Sequence, residues 1–172
     1  MENQIRIAVY HAGQCDPKKC TALKLKRHGL VRIVPQIRFL PKQAVVLNPF
    51  SKIAFSPADR QRMENYGLAA LDCSWHHAQE VMLKHVRGTS RCLPVLTAGN
   101  PINFGKPSEL STAEALAAAL YIGGFKQKAF EVLSLFKWGN TFLEMNSERL
   151  EAYAKAKNST EIVELQNQFI SR

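Results

Sequence analysis

Five short, mostly apolar runs, each closed off by turn residues, constrain this chain more than any other feature. They are residues 5–10, 30–34, 44–47, 68–71 and 91–96. Runs of four to six residues rich in Val, Ile, Leu and Ala read as strands buried on both faces. Helix patterns fall between them. One spans residues 21–28 and stops at Gly29. A second opens at Ser56-Pro57 and stops at Gly67, with Ser as cap and Pro in the first turn. A third covers residues 76–86. Residues 35–41 read as irregular or as an extended edge with Arg38 exposed. Strands alternating with helices predict an α/β layer with a mainly parallel sheet. After Leu110 the pattern is helical, over residues 112–122, 126–136, 140–156 and 160–170. The expected division is an α/β part over residues 1–96 and a loop-plus-helices part over residues 97–172. At 172 residues they form one compact unit.

The junction between the two parts is the most suggestive stretch. The run Leu93-Pro94-Val95-Leu96 leads to Gly99-Asn100-Pro101-Ile102-Asn103-Phe104-Gly105-Lys106-Pro107, whose prolines and glycines keep it out of helix and strand. A helix follows, with Ser111 or Thr112 as its N-cap and Glu114 in its first turn. Strand, irregular loop and helix N-terminus together present unpaired backbone groups and a positive dipole end. In open α/β sheets such loops hold ligands, so a small polar ligand with a carboxylate or phosphate is expected here. The same pattern suits a rigid loop that only turns the chain. It is neither GxGxxG nor a P-loop.

Charge is unevenly spread. Residues 1–62 hold 12 of the 23 Lys and Arg and only Glu2, Asp16 and Asp59 among the acids, so the whole excess of +9 lies there. Lys18, Lys19, Lys24, Lys26, Arg27, Arg32, Arg38, Lys42 and Arg60 are the candidate contacts to a polyanion, with nucleic acid the common case. No apolar run is long enough to span a membrane and no secretory signal is visible, so a cytoplasmic protein is expected. Of the four cysteines, Cys15 and Cys20 lie close together, but no second close pair completes a zinc ribbon. Buried free thiols and no metal are the expectation.

The inventory of reactive groups is thin. Asp72 falls at the carboxyl end of a strand, where it suits a general base or a substrate-orienting carboxylate, or equally the N-cap of the next helix. Trp75 suits stacking on a base or on adenine, or sealing a core. His76 and His77 read as exposed helix residues, and no nucleophile triad, HExxH or paired-carboxylate signature stands out.

Six segments taken together carry a resemblance. They are Cys15-Asp16-Pro17-Lys18-Lys19-Cys20-Thr21, Ser56-Pro57-Ala58-Asp59-Arg60, Leu71-Asp72-Cys73-Ser74-Trp75, Leu93-Pro94 with Asn100 to Pro107, Leu110-Ser111-Thr112-Ala113-Glu114-Ala115, and Phe136-Lys137-Trp138-Gly139 with Phe142-Leu143. In this order they resemble the ribosomal-RNA aminocarboxypropyltransferases of archaea and eukaryotes, a SPOUT-like group, from about Val9 to Phe169. Ala22 departs from the usual Gly, and Thr97 and Gly99 vary the run before Asn100. The resemblance implies an α/β domain with a deep trefoil knot and an all-helical C-terminal lobe. It implies transfer of the 3-amino-3-carboxypropyl group of S-adenosylmethionine to a uridine or modified pseudouridine of small-subunit rRNA, free or in a pre-ribosomal particle, by a monomer. By similarity, Thr21, Leu71 and Trp75 face the cofactor, backbone groups at Leu93, Pro94 and Val95 read its adenine edge, Gly99 lies on the contact loop, and Ser111 and Thr112 hold its carboxylate. Asp72 would accept a proton from the acceptor base or orient it. A SPOUT-type RNA methyltransferase and a non-catalytic rRNA-binding assembly factor are the alternatives.

Overall fold

The computed structural model describes residues 4–14, 16–73 and 86–172. The chain forms two compact units, Met1–Lys52 with Gln61–Cys92, and Ile53–Arg60 with Leu93–Arg172.

The first unit is built on a five-stranded, fully parallel sheet. Its strands are β1 (Ile7–His11), β2 (Arg32–Val34), β3 (Val45–Leu47), β4 (Leu68–Asp72) and β5 (Thr89–Arg91), in the order β2-β1-β4-β3-β5. Ile7 to Tyr10, Val45 to Leu47 and Leu68 to Ala70 are all buried. This is why these runs are apolar at every position and do not alternate: a parallel sheet is covered on both faces. Ala8, Tyr10, Val34, Leu40, Ala44, Val46 and Ala69 form one core cluster.

Helix α1 (Thr21–Arg27) buries Ala22 and Leu25. It ends as Gly29 implies: the Gly29 N–H donates to the Lys26 carbonyl and the Leu30 N–H to that of Leu25, a Schellman closure at φ +73°. Helix α2 (Arg60–Tyr66) runs straight into β4 through Gly67. Gly67 sits at φ +94°, and a Cβ there would lie 2.8 Å from the Arg6 carbonyl oxygen, so only glycine makes this turn.

The second unit begins with a 3₁₀ turn, Pro57–Asp59, closed by a Ser56–Asp59 capping box. It continues through α3 (Thr112–Ile122), α4 (Lys126–Ser134), α5 (Gly139–Met145), α6 (Ser147–Lys155) and α7 (Ser159–Ile170). Helix α3 is almost wholly buried, in keeping with its Ala/Leu run.

Two expectations are corrected here. Residues 140–156 are not one helix: the chain breaks at Asn146, which is fully buried. Its Oδ1 accepts from the Thr97 N–H at 2.7 Å, and its Nδ2 donates to the carbonyls of Thr97 and Phe142, both at 2.8 Å. The backbone turns at Asn146 (φ −110°, ψ 7°), although its N–H still donates to the Phe142 carbonyl and its own carbonyl accepts from the Leu150 N–H. Residues 91–96 are not one strand either. The strand ends at Arg91, and Leu93 to Leu96 make no ladder. Pro94 has no N–H to give, and helical side chains serve Val95 instead. Its N–H donates to Gln166 Oε1 at 2.9 Å and its carbonyl accepts from the Tyr153 hydroxyl at 3.1 Å. Burial pushes the Tyr153 phenol up to about 12, so it stays a donor. No described helix is long and apolar enough to cross a membrane.

Candidate functional site

In the second unit the loop after Leu96 is a locked hairpin. Thr97 and Pro107 form an antiparallel bridge. The Ala98 N–H donates to the Lys106 carbonyl at 2.9 Å, Gly105 donates back to Ala98 at 2.8 Å, and the Ser108 N–H reaches the Leu96 carbonyl at 2.8 Å. Asn100 Oδ1 accepts from the N–H groups of Ile102 and Asn103, so the sequence Asn-Pro builds its own turn. Ile102 and Phe104 stand exposed at the tip.

Glu114 is the anchor of this hairpin. It is completely buried, and its Oε2 accepts from the Gly99 N–H at 2.7 Å. Its Oε1 accepts from Asn100 Nδ2 at 2.6 Å and from the Ser111 N–H at 2.9 Å. Ser111 Oγ in turn accepts from the Glu114 N–H at 3.2 Å, which completes a capping box. Ser111 is therefore the cap and Thr112 the first residue of α3; both are half-buried. Gly99 packs against α5: a Cβ there would lie 2.8 Å from the Phe142 backbone nitrogen and Cα. Leu93 and Val95 are half-buried and Pro94 is buried. The hairpin, the cap and the start of α3 thus form one hydrogen-bonded piece, its helix N-terminus already facing the Glu114 carboxylate.

In the first unit Asp72 ends β4, directly opposite His11 in the β1 register. His11 Nε2 lies 3.5 Å from Asp72 Oδ2, and the Cys20 thiol donates to the same oxygen at 3.3 Å. Thr21 opens α1 and is half-buried; Leu71 is half-buried and packs on the core cluster. Cys73, next along the chain, has its thiol pushed up to about 11, by burial first and by the neighbouring Asp72 charge second. Burial also raises the Cys92 thiol. Cys20, Cys73 and Cys92 are free thiols. Cys15, Ser74, Trp75, His76, His77 and most of the expected 76–86 helix lie outside the described residues, and with them both the Trp75 contact and the capping alternative for Asp72.

Of the basic candidates, Lys18, Lys19, Lys26, Arg27, Arg32, Arg38, Lys42 and Arg60 are exposed and Lys24 is half-buried. Some have local duties. Lys24, Lys26 and Arg27 occupy the last turn of α1, where positive charge offsets the helix dipole. The Arg60 guanidinium donates to the Gly124 carbonyl at 3.3 Å and stacks 4.5 Å over the Phe125 ring.

Sequence reasoning did not find His11 or Cys20, because their approach to Asp72 depends on β1 lying beside β4. The full reach of Glu114 was also hidden, although the Ser-x-x-Glu spacing pointed to its cap.

Comparison with known proteins covers the whole chain. Residues 45–170 match the family model described as "Ribosome biogenesis protein, C-terminal". Residues 5–36 match one described as "Possible Fer4-like domain in RNase L inhibitor". That segment holds only Cys15 and Cys20, whereas an iron–sulfur cluster takes about four thiolates, so its residues do not fit such a cluster. The 16S rRNA aminocarboxypropyltransferase of Methanothermobacter thermautotrophicus is 53% identical over 168 residues, 96% of this chain and 99% of the relative. The protein of the same description from Methanocaldococcus jannaschii is 46% identical over 97% of each. Among solved structures, the SAM-dependent rRNA:acp-transferase Tsr3 from Vulcanisaeta distributa superposes with a TM-score of 0.85 at 42% identity, covering 98% of this chain and 97% of that one.

Proposed function

The chain belongs to the family of rRNA aminocarboxypropyltransferases, and from that premise we propose how its residues carry the reaction. It is an S-adenosylmethionine-dependent enzyme that transfers the 3-amino-3-carboxypropyl group to small-subunit rRNA in ribosome biogenesis. The acceptor is a uridine or modified pseudouridine, on free rRNA or in a pre-ribosomal particle.

S-adenosylmethionine supplies a sulfonium whose three attached carbons are all activated. The bond from sulfur to the carboxypropyl γ-carbon breaks, a carbon–nitrogen bond to the base forms, and the thioether leaves as methylthioadenosine. Orientation selects the carbon that reacts, so the protein's work is positioning. Ser111 and Thr112 at the start of α3 hold the substrate carboxylate, and Gly99 lies on the contacting hairpin. The rigidity of that piece, locked by buried Glu114, is the observation that carries this assignment. Leu93, Pro94 and Val95 face the adenine. Val95 contributes through its side chain, since Gln166 and Tyr153 engage both its backbone groups. Thr21, Leu71 and Trp75 are further proposed cofactor contacts. Asp72 accepts the imide proton that the base nitrogen loses on alkylation. The exposed lysines and arginines of residues 18–60 hold the rRNA backbone.

Further parts of the reading are a SPOUT-like deep trefoil knot and a monomeric state, which rest on the family resemblance, and a helical C-terminal lobe, a division at residues 96 and 97 and a cytoplasmic location, which rest on the sequence pattern. The fully parallel five-stranded sheet is compatible with the first.

The test uses S-adenosylmethionine with separate labels on the methyl and carboxypropyl carbons, together with small-subunit precursor rRNA. Carboxypropyl label enters RNA and methyl label appears in methylthioadenosine. Methyl label in RNA would make the chain a methyltransferase. Tight RNA binding with neither label transferred, on pre-modified as well as unmodified rRNA, would make it a binding factor.

A further inference from the structure

The parallel pairing of β1 with β4 sets His11 opposite Asp72, and the Ala12 N–H donates to the Asp72 carbonyl at 3.0 Å. The two side chains therefore emerge side by side at the carboxyl end of the sheet, only 13% and 21% exposed. Cys20 arrives from another direction. As N-cap of α1 it makes no side-chain cap bond, and its buried thiol donates to Asp72 Oδ2 at 3.3 Å while lying 3.4 Å from His11 Nε2.

The imidazole tautomer follows from its other nitrogen. The Gly13 N–H donates to His11 Nδ1 at 3.2 Å. A neutral imidazole nitrogen that accepts a hydrogen bond carries no proton, so the proton is on Nε2, which lies 3.4 Å from Cys20 Sγ and 3.5 Å from Asp72 Oδ2. Gly13 reaches this geometry at φ +71°, a conformation glycine adopts without strain. The Asp72 Oδ2 oxygen thus accepts the S–H from the start of α1 and has the His11 ring nitrogen of β1 beside both atoms.

We propose that His11 and Cys20 are positioning residues that grip Oδ2 of Asp72 and so set the direction in which its carboxylate meets the acceptor base. The inference rests on the reading of Asp72 as proton acceptor. Losing these two contacts loosens the carboxylate about its side-chain bonds, and the fraction of time spent in the productive orientation falls.

The same three ligand atoms lie within 4.8 Å of one another, a grouping that could also surround a metal ion. Coordination needs the Nε2 lone pair, which means moving the proton to Nδ1, against the Gly13 N–H. The observed hydrogen bonds favour the protonated grip over a metal site.

The test measures kcat and KM for both substrates, S-adenosylmethionine affinity and melting for His11→Phe, His11→Gln, Cys20→Ala, Asp72→Asn and the double variant His11→Phe/Asp72→Asn. Phe removes the N–H; Gln restores an N–H donor near the Nε2 position. The expected result is a drop in kcat of about 10-fold for His11→Phe, with KM and cofactor affinity within about 2-fold, and most of the rate restored in His11→Gln. Cys20→Ala loses rate in the same way. In the Asp72→Asn background, His11→Phe costs nothing further, since its effect passes through that carboxylate. If Asp72→Asn is slow while His11→Phe and Cys20→Ala turn over at the wild-type rate, the grip is overturned and the Asp72 reading stands. Wild-type turnover by Asp72→Asn overturns the Asp72 reading, and the inference with it. An equivalent of zinc in the purified protein that is lost in Cys20→Ala, or an ¹⁵N spectrum with the His11 proton on Nδ1, also overturns it.

Discussion

Replacing Glu114 by Gln tests the idea that a buried carboxylate holds the proposed cofactor hairpin in shape. The carboxylate serves three donors, from Gly99, Asn100 and Ser111, and has no exposed surface. Gln keeps the volume but has one oxygen. Its best placement puts that oxygen at the Oε1 position, satisfying Asn100 and Ser111, and turns its NH₂ onto the Gly99 N–H, donor against donor. One buried N–H is then orphaned, at about 1–3 kcal/mol, and two bonds lose their charge assistance. The net destabilisation is about 2–3 kcal/mol, which for a chain of this size lowers the melting temperature by about 4–12 °C. Roughly half of that cost falling on the hairpin weakens S-adenosylmethionine binding about 10-fold. Thermal melting followed by circular dichroism and titration calorimetry with S-adenosylmethionine read the two effects. A variant that melts within about 1 °C of wild type refutes the anchoring role. A large melting shift with unchanged cofactor affinity refutes the placement of the cofactor on this hairpin.

Gly99→Ala pushes a methyl against the Phe142 backbone, which cannot rotate away; a loss of about 1–3 kcal/mol in urea unfolding is expected. Asn146→Ala frees both backbone groups of Thr97, while the Phe142 carbonyl keeps the residue 146 backbone N–H. It should lower urea stability by about 2–4 kcal/mol, and a value under about 0.5 kcal/mol would show that water replaces the amide. Lys126 and the Tyr121 hydroxyl hold the Glu151 carboxyl below its usual range, Lys126 first. A lowered folded-state pKa contributes stability above the unfolded value, near about 4.3, and loses it as pH falls through the folded value. Glu151→Gln should therefore cost less than about 1 kcal/mol at pH 7, since the pair is half-exposed, and match wild type in melts at strongly acid pH.

Much of the architecture is written locally. Continuous apolar runs such as Val45 to Leu47 predict strands covered on both faces, and the sheet is fully parallel. Ser56-Pro57, Gly29, Gly67 and Ser111 with Glu114 mark helix ends through short-range hydrogen bonds and backbone angles, and the structure uses them so. Strand order is different in kind. That β1 lies between β2 and β4 depends on pairings such as Ala8 with Arg32 and Ile7 with Leu68, 24 and 61 residues apart, and no local preference encodes it. His11, Cys20 and Asp72 meet only because of that order. Residues 93–96 look like a strand by composition, but what decides their state is who satisfies their backbone, and Gln166 and Tyr153 do so from distant helices. Asn146 likewise sits at a helix break in a run whose periodicity continues through it, and its buried amide serves the backbone of Thr97. The sequence by itself determined most element types, the caps and the likeness to an rRNA-modifying family. Tertiary structure decided which polar groups meet, since buried donors and acceptors take the partners that packing brings within reach.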